Sequence, residues 1–249
     1  SRAAQSYDAV ARLQRQVGQR LMKALPDHLS GNSVIDLGCG TGYFTEHLAN
    51  KYPAADFIGL DLAQGMLTFA DAERQVNARW LCADAEELPL ADQSVDLIFS
   101  NLALQWCERL PQLAAEIVRV LKPGGHFAFT SLGTETLHQL RASWAEVDDY
   151  VHVNRFTDTE CWRNAFELAG MAFHSFDTEH SDLAYRDLRH LTDELKGLGA
   201  HNVNAGQNRG LTSPQQVRKL IQAYEQYRRE DGQLPATWEV IYGVATCHG

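Results

Sequence analysis

The chain has 249 residues, 45% of them hydrophobic and 22% charged, a balance that supports a full apolar core and excludes a disordered chain. Its 22 Lys and Arg against 32 Asp and Glu give a net charge of −10, which suits a phosphate backbone poorly and argues against nucleic acid as a partner. No apolar run approaches the roughly 20 residues of a membrane helix, and the opening SRAAQSYDAVARLQ carries no apolar signal core, so no membrane association and a cytoplasmic location are expected.

The pattern predicts a helix over 7–25, where Val10, Leu13, Val17, Leu21 and Leu25 recur at helical spacing before Pro26. Ser33–Leu37 reads as a buried strand, the glycines after it as a turn, and Tyr43–Lys51 as a helix. Asp56–Asp61 is a second strand, Gln64–Arg74 a helix and Ala78–Asp84 a third strand. Val95–Asn101 is a fourth strand, Leu110–Leu121 a helix, Lys122–Gly125 a turn and His126–Ser131 a fifth strand. Strands alternating with helices of this length imply a parallel sheet covered on both faces. The rhythm then breaks. Met171–Tyr185 and Trp238–Thr246 read as sixth and seventh strands, with helix-like stretches at Asp187–Leu198 and Ser213–Arg229 between them. Ser213-Pro214 is a helix start, with Ser as N-cap and Pro at N1. The expected fold is a Rossmann-like α/β sheet of seven strands with helices on both faces. A helical insertion separates the last two strands, which are expected to be antiparallel neighbours. The expected organisation is an N-terminal helical segment at 1–30, a core at 31–185, an insertion or lid at 186–233 and a returning strand at 234–249.

The five cysteines are Cys39, Cys82, Cys107, Cys161 and Cys247; their number is odd and none stands at C-x-x-C spacing. The ten histidines are scattered without a helical H-x-x-x-H pair, so neither a disulfide framework nor a metal site is expected.

Asp36-Leu37-Gly38-Cys39-Gly40-Thr41-Gly42 lies after the first strand and before a helix. Glycines there let a ligand approach the backbone and permit the turn. G-x-G-x-G departs from the dinucleotide pattern G-x-G-x-x-G, which points away from a pyrophosphate. Asp61 ends the second strand, where a carboxylate can accept two ribose hydroxyls. Asp84 follows the third strand beside Ala85, which leaves room for a flat ring, and Asn101 ends the fourth, where a reacting group would sit. A single Asp at such a place also serves as an N-cap. Asp36, Asp61 and Asp84 after three successive strands converge instead on the carboxyl edge of the sheet, where open α/β folds bind ligands.

Together these residues resemble the class I S-adenosylmethionine-dependent methyltransferases, over about residues 33–131 and including LKPGGHFAFTS at 121–131. The resemblance implies that Asp36, Gly38, Gly40 and Gly42 surround the methionine part of S-adenosylmethionine. It places Asp61 at the ribose, Asp84 and Ala85 at the adenine, Asn101 nearby, and Met66 beside the adenine face; a core helix Met is the other reading of that residue. The product would be S-adenosyl-L-homocysteine. SNLALQWCERLPQLAAEIVRVLKPGG (100–125), HVNRF (152–156), ELKGLGAHN (194–202), LTSPQQVRKL (211–220) and the opening SRAAQSYDAVARLQRQ are similar to the malonyl-acyl-carrier-protein O-methyltransferases of biotin synthesis. That similarity runs through nearly the whole chain. It implies methylation of the free carboxylate of a malonyl thioester, on acyl carrier protein and possibly on malonyl coenzyme A.

A carboxylate acceptor has a pKa near ~4 and is ionised at neutral pH, so no catalytic acid or base is expected. Alignment and desolvation carry the chemistry. The site needs cations to hold the acceptor. Arg155 suits a bidentate grip, Lys196 a second charge, and Tyr7 substrate orientation or closure over the cofactor. Each also has a plain reading: a surface ion pair, a helix C-terminal cation and a half-buried helix residue. A second functional reading keeps the fold and changes the acceptor to another small free acid, a quinone precursor or an amine, with His126 or His152 as base. A third is a binding-only S-adenosylmethionine protein or a Rossmann dehydrogenase; the loop pattern argues against the dehydrogenase.

Charge is uneven. Residues 180–249 carry eight Lys and Arg against eight Asp and Glu. Arg186, Arg189, Lys196, Arg209, Arg218, Lys219, Arg228 and Arg229 therefore form the least acidic part of the chain, as a solvated helix surface or as a place for an acidic carrier protein.

Overall fold

The computed structural model describes residues 8–197 and 213–248. The strands are β1 (Ser33–Leu37), β2 (Asp56–Asp61), β3 (Ala78–Cys82), β4 (Val95–Asn101), β5 (Leu121–Leu132), β6 (Met171–Tyr185) and β7 (Leu234–Cys247). They form one sheet in the order β3-β2-β1-β4-β5-β7-β6. Pairing is parallel from β3 through β5. The helices are α1 (Asp8–Lys23), α2 (Tyr43–Lys51), α3 (Gln64–Glu73), α4 (Leu110–Val120), α5 (His138–Ala145), α6 (Thr159–Leu168), α7 (Leu188–Gly197) and α8 (Pro214–Glu225).

The described residues fall into two compact units. The sheet unit comprises 14–131, 158–178 and 241–248; the insertion unit comprises the described parts of 1–13, 132–157 and 179–240. In the sheet unit, β1 and β4 are buried along nearly their whole length because both faces are covered. Leu113, Ala114, Ile117 and Val120 make one fully buried stripe of α4, at the spacing of a single helix face. Phe127 and Phe129 stack at 4.8 Å and continue into Trp162 and Phe166 of α6. Full burial of each such ring contributes roughly 1.5–3 kcal/mol.

Three boundaries differ from the expected ones for local reasons. β3 ends at Cys82, short of Asp84, because the Asp84 carboxylate accepts the Glu86 N–H at 2.9 Å and turns the chain. β5 starts at Leu121, and the Lys122–Gly125 turn sits inside it as an irregularity: Val95 pairs with Leu121, yet Leu97 pairs with His126. β7 starts at Leu234, ahead of Trp238, and almost every residue of it is buried.

Helices α5 and α6 lie where the pattern assigned no element. The start of α6 is locally encoded, since the Asp158 carboxylate accepts the Glu160 N–H at 2.8 Å. The start of α5 is not. Leu137 precedes it in the left-handed region (φ 56°) without a side-chain cap. Its N–H instead donates to the Thr237 carbonyl at 2.7 Å, and Gln139 Oε1 accepts the Thr237 N–H at 3.2 Å. In α8 the expected cap is present as a capping box between Ser213 and Gln216.

Candidate functional site

Strand order reverses at β1, which pairs with β2 on one side and β4 on the other. A crevice opens at such a switch point beyond the carboxyl ends of the strands. The glycine loop enters it from β1. Gly38 and Gly42 both hold φ 72°, a region L side chains avoid. A Cβ on Gly38 would collide with Ala103, and one on Gly42 would stand 2.7 Å from the Trp80 ring. At Gly40 (φ 53°) an added Cβ would meet open space. The loop is fixed from two sides. The Gly38 and Cys39 N–H groups donate to the Leu60 carbonyl at 2.7 and 3.0 Å. Arg74 Nε donates to the Thr41 carbonyl at 2.8 Å.

Asp61 is the hinge of this arrangement. Its Oδ2 accepts the Gly40 N–H and its Oδ1 the Ala63 N–H, each at 2.8 Å. Both oxygens keep a lone pair free for a ligand. Asp84 is exposed and lines the same crevice, oriented by the Glu86 N–H. Asp36 lies deeper, fully buried, with the Thr45 hydroxyl donating to it at 2.6 Å. Burial pushes the Asp36 carboxyl up to about 7; the Thr45 hydrogen bond opposes this and the Asp61 charge adds to it.

This shift has a sign for stability. From its ordinary value of 3.8 to about 7, the folded Asp36 holds a proton that the unfolded chain has lost. Its destabilising contribution is absent below that window, grows through it and is complete above it. The melting temperature of the wild type should therefore fall relative to that of Asp36→Asn between pH 5 and pH 8, by a few kcal/mol in ΔG at most. Parallel pH profiles in thermal melts would show that Asp36 is ionised throughout.

A cavity of about 540 Å³ occupies the crevice, lined by Gly38, Asp61, Asp84 and Ala85 among others. Its wall also contains residues that the sequence pattern did not single out. Leu62 and Trp106 are 73% and 43% exposed despite their apolar bulk. Buried Glu86 accepts from Arg109 Nε at 2.8 Å and from the Arg109 N–H, joining the loop after β3 to the start of α4. With Glu86 committed, Asp61, Asp84 and Glu108 are the other carboxylates of the lining. Burial pushes the Cys107 thiol up to about 12, so it lines the cavity as a neutral group. The spacing signal for Trp106 was present in LALQW, directly after β4.

Of the expected residues, Asp36, Gly40, Gly42, Met66 and Asn101 lie outside the lining of this cavity. Met66 is on α3 and 43% exposed, so it is not a core methionine, but it does not line the cavity. Asn101 is engaged through its side chain: Nδ2 donates to the Gln14 carbonyl at 3.0 Å and Oδ1 accepts from the Thr130 hydroxyl at 2.9 Å. The chain turns immediately after it through Leu102, a non-glycine residue at φ 50° held by its N–H on Thr130 Oγ1 at 2.9 Å. His126 pairs with Leu97 near the amino end of β4 and is remote from the carboxyl edge, which removes it as a base for this site.

In the insertion unit, Arg155 is exposed and lines a separate cavity of about 240 Å³ together with Arg141, Trp144 and His152. Lys196 falls in α7, but its side chain lies outside the described residues, as do Tyr7 and Arg209. The basic residues of the insertion are less free than their count suggests. Arg186 pairs with Asp187, Arg189 with Asp193, Arg228 with Glu225 and Arg229 with Asp182. Arg218 and Lys219 on α8 are exposed and form no ion pair among the described residues.

Residues 35–129 match the family described as methyltransferase domain. The chain is 49% identical, over 98% of its length, to the biotin biosynthesis bifunctional protein BioHC of Cellvibrio japonicus, of which it spans about half (48%). It is 42% identical, again over 98% of its length, to the malonyl-[acyl-carrier protein] O-methyltransferase of Gallionella capsiferriformans, of which it spans 87%. The fold matches that of an S-adenosylmethionine dependent methyltransferase from Mesorhizobium loti with a TM-score of 0.57 at 22% identity, covering 92% of this chain and 96% of that one.

Proposed function

Because this chain belongs to the malonyl-[acyl-carrier protein] O-methyltransferase family, we propose that it transfers the methyl group of S-adenosylmethionine to the free carboxylate of malonyl-acyl carrier protein, in biotin synthesis. The observation that carries this reading is the Asp61 carboxylate, aimed by two backbone N–H groups into a cavity whose wall also exposes Leu62 and Trp106. Oriented anionic acceptors beside uncovered apolar surface suit a ligand with ribose hydroxyls and a flat base. S-adenosylmethionine, when bound, supplies an electrophilic methyl on a sulfonium.

The residues divide the work. Asp61 accepts the ribose hydroxyls, and Asp84 with Ala85 takes the adenine edge. The loop from Gly38 to Gly42 and Asp36 border the cationic methionine part. Arg155 holds the acceptor carboxylate; Lys196 and Tyr7 are assigned to the acceptor side as well. One carboxylate oxygen forms the new O–CH₃ bond as the S–CH₃ bond breaks, and the sulfur keeps the bonding pair. Anion and cation cancel, so no proton moves and no base is needed; exclusion of water and alignment lower the barrier. The methyl ester hides the second charge of the malonyl group from enzymes that elongate acyl chains.

The direct test incubates the protein with methyl-labelled S-adenosylmethionine and malonyl-acyl carrier protein, malonyl coenzyme A or acetyl-acyl carrier protein. Base-labile label on the malonyl thioesters alone is expected. Label on none of them would sink the reading.

Carrier-protein docking is assigned to α8, where Arg218 and Lys219 are exposed and form no ion pair among the described residues. An acidic carrier protein and an enzyme of net charge −10 repel overall, so approach depends on a local basic surface. Arg218→Glu with Lys219→Glu should slow methylation of malonyl-acyl carrier protein several-fold and affect malonyl coenzyme A much less. Added salt should slow the carrier reaction of the wild type, with a Debye length of about 8 Å at physiological ionic strength. Equal losses on both substrates would assign these residues to folding instead.

A further inference from the structure

The insertion-unit cavity contains more than Arg155. Arg141, on α5, lines the same space of about 240 Å³. Its guanidinium is half-buried and anchored, with Nη1 donating to the Thr136 carbonyl at 3.1 Å and Nη2 donating to the Thr134 carbonyl. A guanidinium has five N–H donors, so three remain for another acceptor. Arg155 has no hydrogen bond or ion pair among the described residues. Two acids, Asp148 and Asp149, line the same cavity. Asp148 is committed to His152 Nε2 at 2.7 Å, the Tyr150 N–H at 3.0 Å and Gln216 Nε2 at 3.0 Å. Asp149 lines the cavity but forms no ion pair with either arginine.

We propose that Arg141 is a second substrate-binding cation, which together with Arg155 makes this cavity a receptor for the free carboxylate of a short acyl thioester. The inference rests on the methyl-transfer reading above and deepens it by naming the group that selects a malonyl over a neutral acyl chain. Two guanidinium groups border one small space, and their free N–H donors suit a carboxylate ligand. Burial holds Arg141 below its ordinary value; Glu135 opposes that effect and the positive charge of Arg155 adds to it. The carbonyl anchors fix the Arg141 fork before the ligand arrives, so little side-chain freedom is lost on binding. Trp144 and His152 stack beside them with centroids 3.6 Å apart and planes within 9°, giving the cavity a flat wall. In this arrangement Asp148, by holding His152, positions the wall and does not touch the ligand.

The test is calorimetric binding of malonyl-acyl carrier protein and acetyl-acyl carrier protein to enzyme saturated with S-adenosyl-L-homocysteine, so that no turnover occurs. The wild type should prefer the malonyl form. Arg141→Gln should lose roughly tenfold to a hundredfold in malonyl affinity, the range of one or two charge-assisted hydrogen bonds. Its affinity for the acetyl form and for S-adenosyl-L-homocysteine should be unchanged. Arg141→Lys retains charge and a donor for the Thr134 and Thr136 carbonyls, and should lose part of the preference; it serves the same test if the Gln variant does not fold. Folded variants that keep the wild-type preference would overturn the role of Arg141 alone, because the wild type would still methylate malonyl thioesters. A wild type with neither preference nor methylation would overturn the methyl-transfer reading together with this one.

Discussion

Asp61→Ala is expected to lower the affinity for S-adenosylmethionine by at least ten- to a hundredfold while leaving the protein folded. Losing a charge-assisted acceptor for ribose hydroxyls costs roughly 1.5–3 kcal/mol. The structure makes this a lower bound. The same carboxylate anchors the Gly40 and Ala63 N–H groups at 2.8 Å, so its removal also frees the middle of the glycine loop. Asp61→Asn should fall between the two, since an amide oxygen retains one of those anchors while the amide nitrogen faces the other donor. Isothermal calorimetry on folded variants checks both. An unchanged affinity in Asp61→Ala would take this residue out of the cofactor site.

Arg155→Ala is expected to raise the KM for malonyl thioesters by ten- to a hundredfold, again the range of a charge-assisted contact, with the affinity for S-adenosylmethionine near normal. Arg155 lines the insertion-unit cavity, whereas the proposed cofactor acceptors Asp61 and Asp84 line the sheet-unit cavity. Arg155→Lys should restore only part of the loss, because an ammonium cannot reproduce the planar fork. Steady-state kinetics with each thioester as the varied substrate gives the KM and kcat values. Full activity in both variants would move the carboxylate grip elsewhere, with Lys196 next in line.

By itself the sequence determined the sheet unit. Apolar runs such as VIDL and DLIFS, alternating with amphipathic stretches, can be buried only as a parallel sheet with helices on its faces, and each run became a strand close to its expected bounds. The loop at Gly38–Gly42 and the acids Asp36, Asp61 and Asp84 were legible for the same reason: their place at strand ends follows from the local pattern. Tertiary structure decided what depends on residues distant in the chain. Helix α5 has no local cap and is started by Thr237. Arg141 joins Arg155 because that helix brings it to the same cavity. Glu86 and Arg109 join the loop after β3 to the start of α4, and Trp106 stays uncovered in the cavity although its bulk alone predicts burial. Asn101, at the expected strand end, spends its side chain on Gln14 and Thr130. Most of the basic residues of the insertion find acidic partners, a cancellation that no count of charges along the chain reveals. Periodicity encodes which face of an element is buried, because that is a short-range property; which side chains meet is fixed only when the elements pack.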